Sequence, residues 1–317
     1  MFAALLPGCG TIQDGASSAK LTRLALLRRL LADSADSSQT PQTPRGLTTA
    51  MPNPEQQPLL GTPSRDADAP ASATASATAS ATASRLKTHL TTSVSRKHTD
   101  LVLLACYIIT GLLDSASNQI WGSFVSMQTG NTIYIGLGLA APRESTRWIK
   151  SSVSLAAFCL GSLVFSRFHR AFPARRRWVL VASFAAQLAL LLTASLVISL
   201  GPRRRSADDL SWDVLAPIAL VAFQSCGQAV TSRALERNAL TSVVLTSIYT
   251  DLFGDARLFC ADNSERNRRV AAPLLLLGGA VAGGLFAGSE IGIAGALWAA
   301  AVLKLVLMGA WLVWPAE

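Results

Sequence analysis

The sequence has little charge and few of the residues that bind metals or perform catalysis. Charged residues make up 15% of the 317 residues against 50% hydrophobic residues, a balance too apolar for an ordinary soluble protein. The three histidines are scattered and the five cysteines form no CxxC pair, so neither a zinc site nor a disulfide framework is predicted. No HExxH, GxSxG or GxxxxGK[ST] motif occurs. We therefore expect neither an enzyme nor a bound cofactor or metal.

Long apolar runs are also missing from residues 1–99, which are rich in Ser, Thr, Ala and Pro. Residues 71–84 repeat Ala-Ser-Ala-Thr almost perfectly, and such a tract lacks the large side chains that a core needs. We predict a disordered, low-complexity cytosolic tail over 1–99. Within it, residues 20–31 have the pattern of a basic amphipathic helix, typical of a transit peptide or a membrane-surface segment. Met51 is an alternative start that the sequence leaves open.

A short segment of this tail resembles a sorting signal. Glu55, Leu59 and Leu60 have the spacing of the acidic dileucine signals that cytosolic adaptors bind on eukaryotic membrane proteins. Patterns of this length also arise by chance. The alternatives are therefore a partner site for a sorting adaptor and a neutral stretch of tail.

Residues 100–317 contain the apolar runs that the tail lacks. A bilayer core of about 30 Å needs roughly 20 predominantly apolar residues per helix, and the runs here offer no polar face to water. We predict an all-α fold, a polytopic helical membrane bundle of six to eight spans surrounded by lipid. The clearest spans are 100–118, 121–141, 151–168, 178–200, 212–232, 271–289 and 291–314. A weaker segment over 240–259 has the pattern of a broken or re-entrant helix.

Basic residues gather between the apolar runs, at 175–177, 203–205 and 266–269. We interpret them as membrane-flanking charges, since a nucleic-acid surface would need them to converge on one side. The flanking Lys and Arg favour a cytosolic N-terminus if the weak segment crosses the membrane, and decide nothing if it does not. Plasma membrane and vacuolar membrane are not distinguished.

Polar residues interrupt the apolar runs at two places in the first half. Asp114 follows Gly111 near the end of the first span. Its position fits a functional role and a simple location at the membrane interface equally well. Gln128, Thr129, Gly130 and Asn131 lie inside an apolar stretch, and Thr-Gly-Asn favours a break in the helix. Irregular backbone in a membrane must be buried in protein or line a water-filled cavity. The pattern favours a functional pocket over a packing kink.

A third polar stretch echoes the first two in the second half of the chain. It runs from Gln224 through Gln228 to Asp251, and the spacing from Gly227 to Thr246 nearly equals that from Gly111 to Thr129. Paired breaks at corresponding positions predict an internal repeat with broken helices, with chance similarity as the alternative. Lys304 stands alone in the last apolar run. We expect its side chain to snorkel to the membrane surface.

These residues resemble the YoaK-like family, multi-pass membrane proteins that carry a domain of unknown function. The resemblance spans most of 100–314 and none of the tail. Ser225 and Ser247 depart from the pattern of the bacterial members, which have Asn and Gly there. The resemblance implies a helical membrane domain and brings no established substrate. Its motif residues are Gly111, Asp114, Ser115, Phe124, Thr129, Gly130, Asn131, Thr132, Gly136, Gln224, Gly227, Gln228, Thr241, Ser242, Thr246, Thr250, Asp251 and Leu252.

The paired polar breaks predict a small-solute transporter or a channel-like protein, with a site between two half-repeats. The alternative is a non-transporting membrane scaffold, in which the same side chains hold helices together and the tail recruits partners. The predicted substrate-binding residues are Asp114, Gln128, Thr129, Gly130, Asn131, Gln228 and Asp251.

Overall fold

The computed structural model describes residue 82 and residues 84–201, 209–237, 239–260 and 262–317. The predictions for residues 1–81, including the sorting signal and the amphipathic helix, lie outside the described residues. The described part is all-helical, as the composition predicts, and two isolated bridges are its only β-type pairings. Its eight main helices are α1 (Thr99–Trp121), α2 (Gln128–Ala140), α3 (Arg147–Ala171), α4 (Arg177–Leu200), α5 (Trp212–Ala234), α6 (Thr246–Phe253), α7 (Ser264–Ala287) and α8 (Gly292–Val313).

Six of these helices are long and apolar enough to cross a membrane: α1, α3, α4, α5, α7 and α8. Helices α2 and α6, with 13 and 8 residues, are too short to cross at 1.5 Å per residue. The predicted crossing over 121–141 is therefore wrong. Gly122 ends α1 in a left-handed conformation with φ 74°, and a non-helical segment over 122–127 precedes α2.

The short helix α2 returns the chain to the face from which it entered. Arg147 at the start of α3 donates a 2.8 Å hydrogen bond to Asn118, near the end of α1, so both helix ends lie at one face. From there the chain enters the bundle as far as Gln128, whose amide lies 3.3 Å from the Ser154 hydroxyl, two turns into α3. Gly138, near the end of α2, lies against Trp148 in the first turn of α3. Segment 122–140 is a re-entrant loop.

The second half has the same plan. Arg237, just after α5, donates to the Arg96 carbonyl at 3.0 Å, and Arg268 in α7 pairs with Asp100 at 2.6 Å. The end of α5 and the start of α7 therefore both lie at the face where α1 begins, which we call the N-terminal face. Between them, α6 packs Ile248 into a cluster with Leu103 and Tyr107 of α1. The prediction of a broken or re-entrant helix over 240–259 is confirmed.

Each half consists of one long helix, a re-entrant loop and two long helices, so the predicted repeat is present. Three crossings per half place the second half upside down relative to the first. The packing follows this symmetry: α1 lies beside α7, α5 lies beside the equivalent helix α3, and α4 crosses α8. The α1–α7 contact is especially close, because a Cβ on Gly279 would lie 2.2 Å from the Ile108 carbonyl oxygen.

Basic residues concentrate at the N-terminal face. Among the described residues, the opposite face carries Arg143, Arg147 and Lys150. The positive-inside rule therefore predicts that the N-terminal face is cytosolic. The sequence alone favours this orientation only if the weak segment crosses the membrane, which α6 is too short to do. The basic residues in or next to the helix ends at the N-terminal face are Arg85, Lys87, Arg96, Lys97, Arg167, Arg170, Arg175, Arg176, Arg177, Arg233, Arg237, Arg257, Arg266, Arg268 and Arg269.

The connection from α6 to α7 is held by Asp255. A hydrogen bond from the Asn263 amide, at 2.9 Å, holds the pKa of this carboxyl below its usual range, helped by the Arg257 backbone N–H and by Arg269. A lowered folded-state pKa adds stability above the unfolded-state pKa, which is lost as pH falls through the folded value. We expect Asp255→Asn to lower the thermal unfolding midpoint at pH 7. The difference from wild type should close below about pH 4, and a constant difference down to pH 3 would contradict the assignment.

Candidate functional site

Asp114 fixes the backbone at the tip of the first re-entrant loop. Its Oδ1 accepts hydrogen bonds from the backbone N–H groups of Val125, at 2.9 Å, and Ser126, at 2.8 Å, while the Ser126 hydroxyl donates to Oδ2. The carboxylate is 7% exposed. These N–H groups have no helical acceptor because the chain is not helical there, so the carboxylate supplies what the broken helix lacks.

Asn131, in the first turn of α2, ties the loop to α3. Its Oδ1 accepts from the Phe124 backbone N–H at 3.0 Å, and its Nδ2 donates to the Phe124 carbonyl at 2.8 Å and to the Ser154 hydroxyl at 3.1 Å. The Gln128 side chain accepts a further bond from the same Nδ2, at 2.9 Å. Asn131 is fully buried. Its amide thus connects the segment that enters the tip of the loop, at Phe124, to the start of α2, where the chain leaves the tip.

A cavity of about 440 Å³ lies where the two re-entrant loops meet. The first loop contributes the start of α2, the second contributes the segment that leads into α6, and α3 and α5 form the side walls. The walls carry hydroxyl, amide and guanidinium groups, and no Asp or Glu is among the described lining residues. The cavity is lined by Ser126, Met127, Gln128, Thr129, Gly130, Ile133, Phe158, Ser162, Cys226, Ala229, Val230, Arg233, Val243, Val244, Leu245 and Thr246.

Positively charged groups lie at the wall of this cavity. Helices α2 and α6 both begin at its wall, and neither has a side-chain hydrogen-bond cap on its N-terminus. The first-turn N–H groups of a helix have no intrahelical acceptor and carry the positive end of the helix dipole. Arg233, in the last turn of α5, adds a guanidinium at the N-terminal face.

Lys304 occupies the middle of α8 and is fully buried, so the expectation that it snorkels is wrong. Its Nζ donates to the side-chain oxygen of Gln187 in α4, at 2.9 Å, and to that of Gln228 in α5, at 2.5 Å. The Gln228 amide in turn donates to Thr110 at 3.2 Å and to Ser242 at 3.3 Å. The side chain lies about midway along its helix, far from the membrane surface. Its hydrogen-bond partners are therefore the two amide oxygens inside the bundle and not water or lipid headgroups.

Three of the predicted site residues lie on the cavity wall: Gln128, Thr129 and Gly130. Asp114 and Asn131 lie behind that wall and hold the loop that forms it. The first-half residues are thus brought together as predicted, with two kinds of role.

The two predicted residues of the second half lie apart from the cavity. Gln228 belongs to the Lys304 network, and Asp251 is exposed on α6, where its backbone carbonyl accepts from Arg269 at 3.4 Å. The apparent symmetry of the two polar stretches therefore does not extend to their side chains.

Residues 102–310 match the family described as a protein of unknown function, DUF1275. The chain belongs to the DUF1275 family. Among curated proteins and among solved structures, nothing matches the chain. The match covers all eight main helices apart from the ends of α1 and α8, so both re-entrant loops and the cavity lie within the DUF1275 region.

Sequence reasoning missed several residues that shape this DUF1275 site. Ser154 of α3 follows the polar residues 150–152, and Gln187 of α4 is a single polar residue in an apolar run. Nothing in their neighbourhood marks them as partners of Asn131 and Lys304. Arg233 was visible as a basic residue within the third polar stretch. Its position on the cavity wall depends on the second loop folding back towards α5, which the local sequence does not specify.

Proposed function

We propose that this membrane protein is a small-solute transporter or a channel-like protein, and that the solute occupies the 440 Å³ cavity between the two re-entrant loops. The observation that carries the proposal is the meeting of both broken segments at one partly polar cavity between α3 and α5. Discontinuous helices that point their ends at a shared site are typical of transporters with inverted repeats. We propose no enzymatic activity, in keeping with the lack of catalytic motifs.

The cavity chemistry favours a small anion or a neutral polar solute over a cation. Two helix N-termini and Arg233 contribute positive charge, and the described lining has no carboxylate to offset it. Hydroxyl and amide groups of Thr129, Gln128 and Ser162 supply hydrogen bonds to a polar solute. The apolar walls at Phe158 and Val230 limit its size.

A scaffold remains the second candidate, because Asp114 and Asn131 use their polar atoms in bonds within the protein. In a scaffold the cavity would be closed to water and solutes. The two candidates therefore differ in whether a water-soluble reagent reaches Thr129.

Cysteine labelling distinguishes these candidates. In a chain whose native cysteines are replaced by alanine, we expect Thr129→Cys and Val244→Cys to react with water-soluble methanethiosulfonates, because both side chains line the cavity. The anionic sulfonatoethyl reagent should react several-fold faster than the cationic trimethylammonium reagent, and Arg233→Gln should reduce that preference. Leu160→Cys is the matched control, because Leu160 is 55% exposed on the apolar helix α3 and does not line the cavity.

Flux measurements complete the test. Full-length protein in liposomes is assayed with chloride, nitrate, formate, urea and glycerol, before and after Thr129→Cys is labelled. We expect flux of at least one probe and its loss on labelling. Protection of both cavity cysteines together with no flux of any probe would favour the scaffold.

We further propose that the chain is a YoaK-like member of the DUF1275 family, because the motif residues around Asp114 and Asn131 match that pattern. A plasma-membrane and a vacuolar location both accommodate the proposed activity. Fluorescence microscopy of the tagged full chain distinguishes them, and Leu59→Ala with Leu60→Ala tests the proposed adaptor site in the tail.

A further inference from the structure

We propose that Lys304 is a proton-binding site that sets the conformation of the cavity wall, so that access to the cavity depends on pH. The proposal rests on the proposed function in one respect, namely that water and solutes enter the cavity. It is carried by three features: a lysine buried without an acidic partner, acceptors that suit both of its protonation states, and a hydrogen-bond path from the amine to the cavity wall.

The surroundings of Lys304 contain no opposite charge. It is 0% exposed, and none of the ion pairs among the described residues includes it. Of the helices that pack against α8, α1 presents the titratable Cys106, whereas α4 presents Phe184 and Gln187. Helix α7 has no titratable side chain along 271–287. A permanent ammonium without a counter-charge is costly at this depth, so a group that releases its proton is favoured.

The acceptors around Nζ suit an amine as well as an ammonium. A neutral amine has two N–H bonds, which match the two glutamine oxygens of Gln187 and Gln228. When a proton binds to the amine lone pair, the third N–H has no oxygen among the described partners. Nζ then lies 5.1 Å from the centroid of the Phe184 ring, within the range of a cation–π contact. The charge therefore changes while the two hydrogen bonds stay.

A chain of hydrogen bonds connects this group to the cavity. Gln228 accepts from Lys304 and donates to the Ser242 hydroxyl at 3.3 Å. Ser242 adopts a φ of 62°, which is unfavourable for a non-glycine residue, and it directly precedes the cavity-lining residues 243–246. A stronger pull on the Gln228 oxygen by an ammonium changes how its amide holds Ser242. The segment before α6 is therefore the element that protonation moves.

A second path leads from the lysine towards the N-terminal face. The Gln187 amide donates to Ser183 at 3.3 Å, and the Ser183 hydroxyl lies 3.3 Å from His169 Nε2, near the end of α3. His169, 8% exposed, is a titratable group that hydrogen bonds link to the network, and the titratable Tyr107 lies against the Ser242 backbone. An experiment must therefore separate Lys304 from His169.

The test measures how pH changes the reactivity of a cavity cysteine in the full chain, reconstituted in liposomes with its native cysteines replaced by alanine. Val244→Cys reports on the wall that the network touches. Thr129→Cys reports on the opposite wall, and its rate serves as the reference for how ordinary thiol ionisation changes labelling with pH. The ratio of the two rates with the sulfonatoethyl reagent is followed from pH 5 to pH 10. We expect a step in this ratio in the Lys304 protein.

Two substitutions mimic the two states. Lys304→Arg keeps a permanent charge and should give the acid plateau at every pH, whereas Lys304→Met should give the alkaline plateau. His169→Gln should keep the step. A ratio without a step in the Lys304 protein, or a step that survives in folded Lys304→Met, overturns the proposal. If a step is found but no probe solute crosses the membrane, the proton site stands and the transport proposal fails. If a probe solute crosses the membrane at a rate that does not depend on pH, and the ratio shows no step, the transport proposal stands and the proton site fails.

Discussion

Asp114→Ala is expected to lower the free energy of unfolding by at least about 3 kcal/mol, because two buried backbone N–H groups and the Ser126 hydroxyl lose their acceptor at roughly 1–3 kcal/mol each. Val125 and Ser126 are buried, so the loop between α1 and α2 also loses the contacts that fix its shape. Reversible unfolding in mixed micelles, followed by circular dichroism, measures the change. The labelling of Thr129→Cys should no longer follow a single rate, because the loop then adopts more than one conformation.

Asp114→Asn is the matched control. Its side-chain oxygen still accepts from Val125 and Ser126, and its NH2 group can donate to the Ser126 hydroxyl, which reverses its role. We expect a much smaller loss than in Asp114→Ala. Equal losses in the two variants would show that the negative charge is needed, whereas no loss in either would remove Asp114 from the account of the loop.

Gly279→Ala should force α1 and α7 apart. A Cβ at this position would lie 2.2 Å from the Ile108 carbonyl oxygen, and that atom belongs to the backbone of a helix, so the whole helix must shift. Overpacking of this kind costs about 1–3 kcal/mol or more. Gly278 is the neighbouring residue and has open space around it, so Gly278→Ala should be neutral or stabilising by up to about 1 kcal/mol through helix propensity.

The pair of glycine variants is measured by the same unfolding assay. A loss confined to Gly279→Ala supports close packing of α1 on α7 as a source of stability. Similar effects at both positions would contradict the helix contact, since only one of the two glycines meets the neighbouring backbone.

How far the sequence predicts this molecule depends on the type of interaction. Thr129, Gly130 and Asn131 predict a broken helix because their side chains and backbone preferences act locally. The break lies just before them, over 122–127, and the three residues themselves belong to the first turn of α2. The apolar runs predict the six long helices for the same reason. The sequence wrongly predicts a crossing over 121–141, because hydropathy does not show that Asp114 binds the backbone N–H of Val125, eleven residues further along the chain.

The partners of Lys304 illustrate what local patterns miss. Gln187 and Gln228 lie 117 and 76 residues away in the chain, and they meet the lysine only after α4, α5 and α8 pack together. A lone lysine in an apolar run has the same sequence signature whether it snorkels or is buried. The same holds for Asp251, whose place in the third polar stretch resembled that of a site residue although its side chain is exposed.

The three crossings in each half have a consequence for motion. Because the halves face the membrane from opposite sides, an exchange of shape between them would give the α1–α7 pair the geometry of the α3–α5 pair and the reverse, while both pairs stay in contact. Most contacts broken on one side are formed again on the other. The balance between the two arrangements is then governed by the residues that break the symmetry, foremost Asp114, which has no carboxylate counterpart in α5 after its first turn.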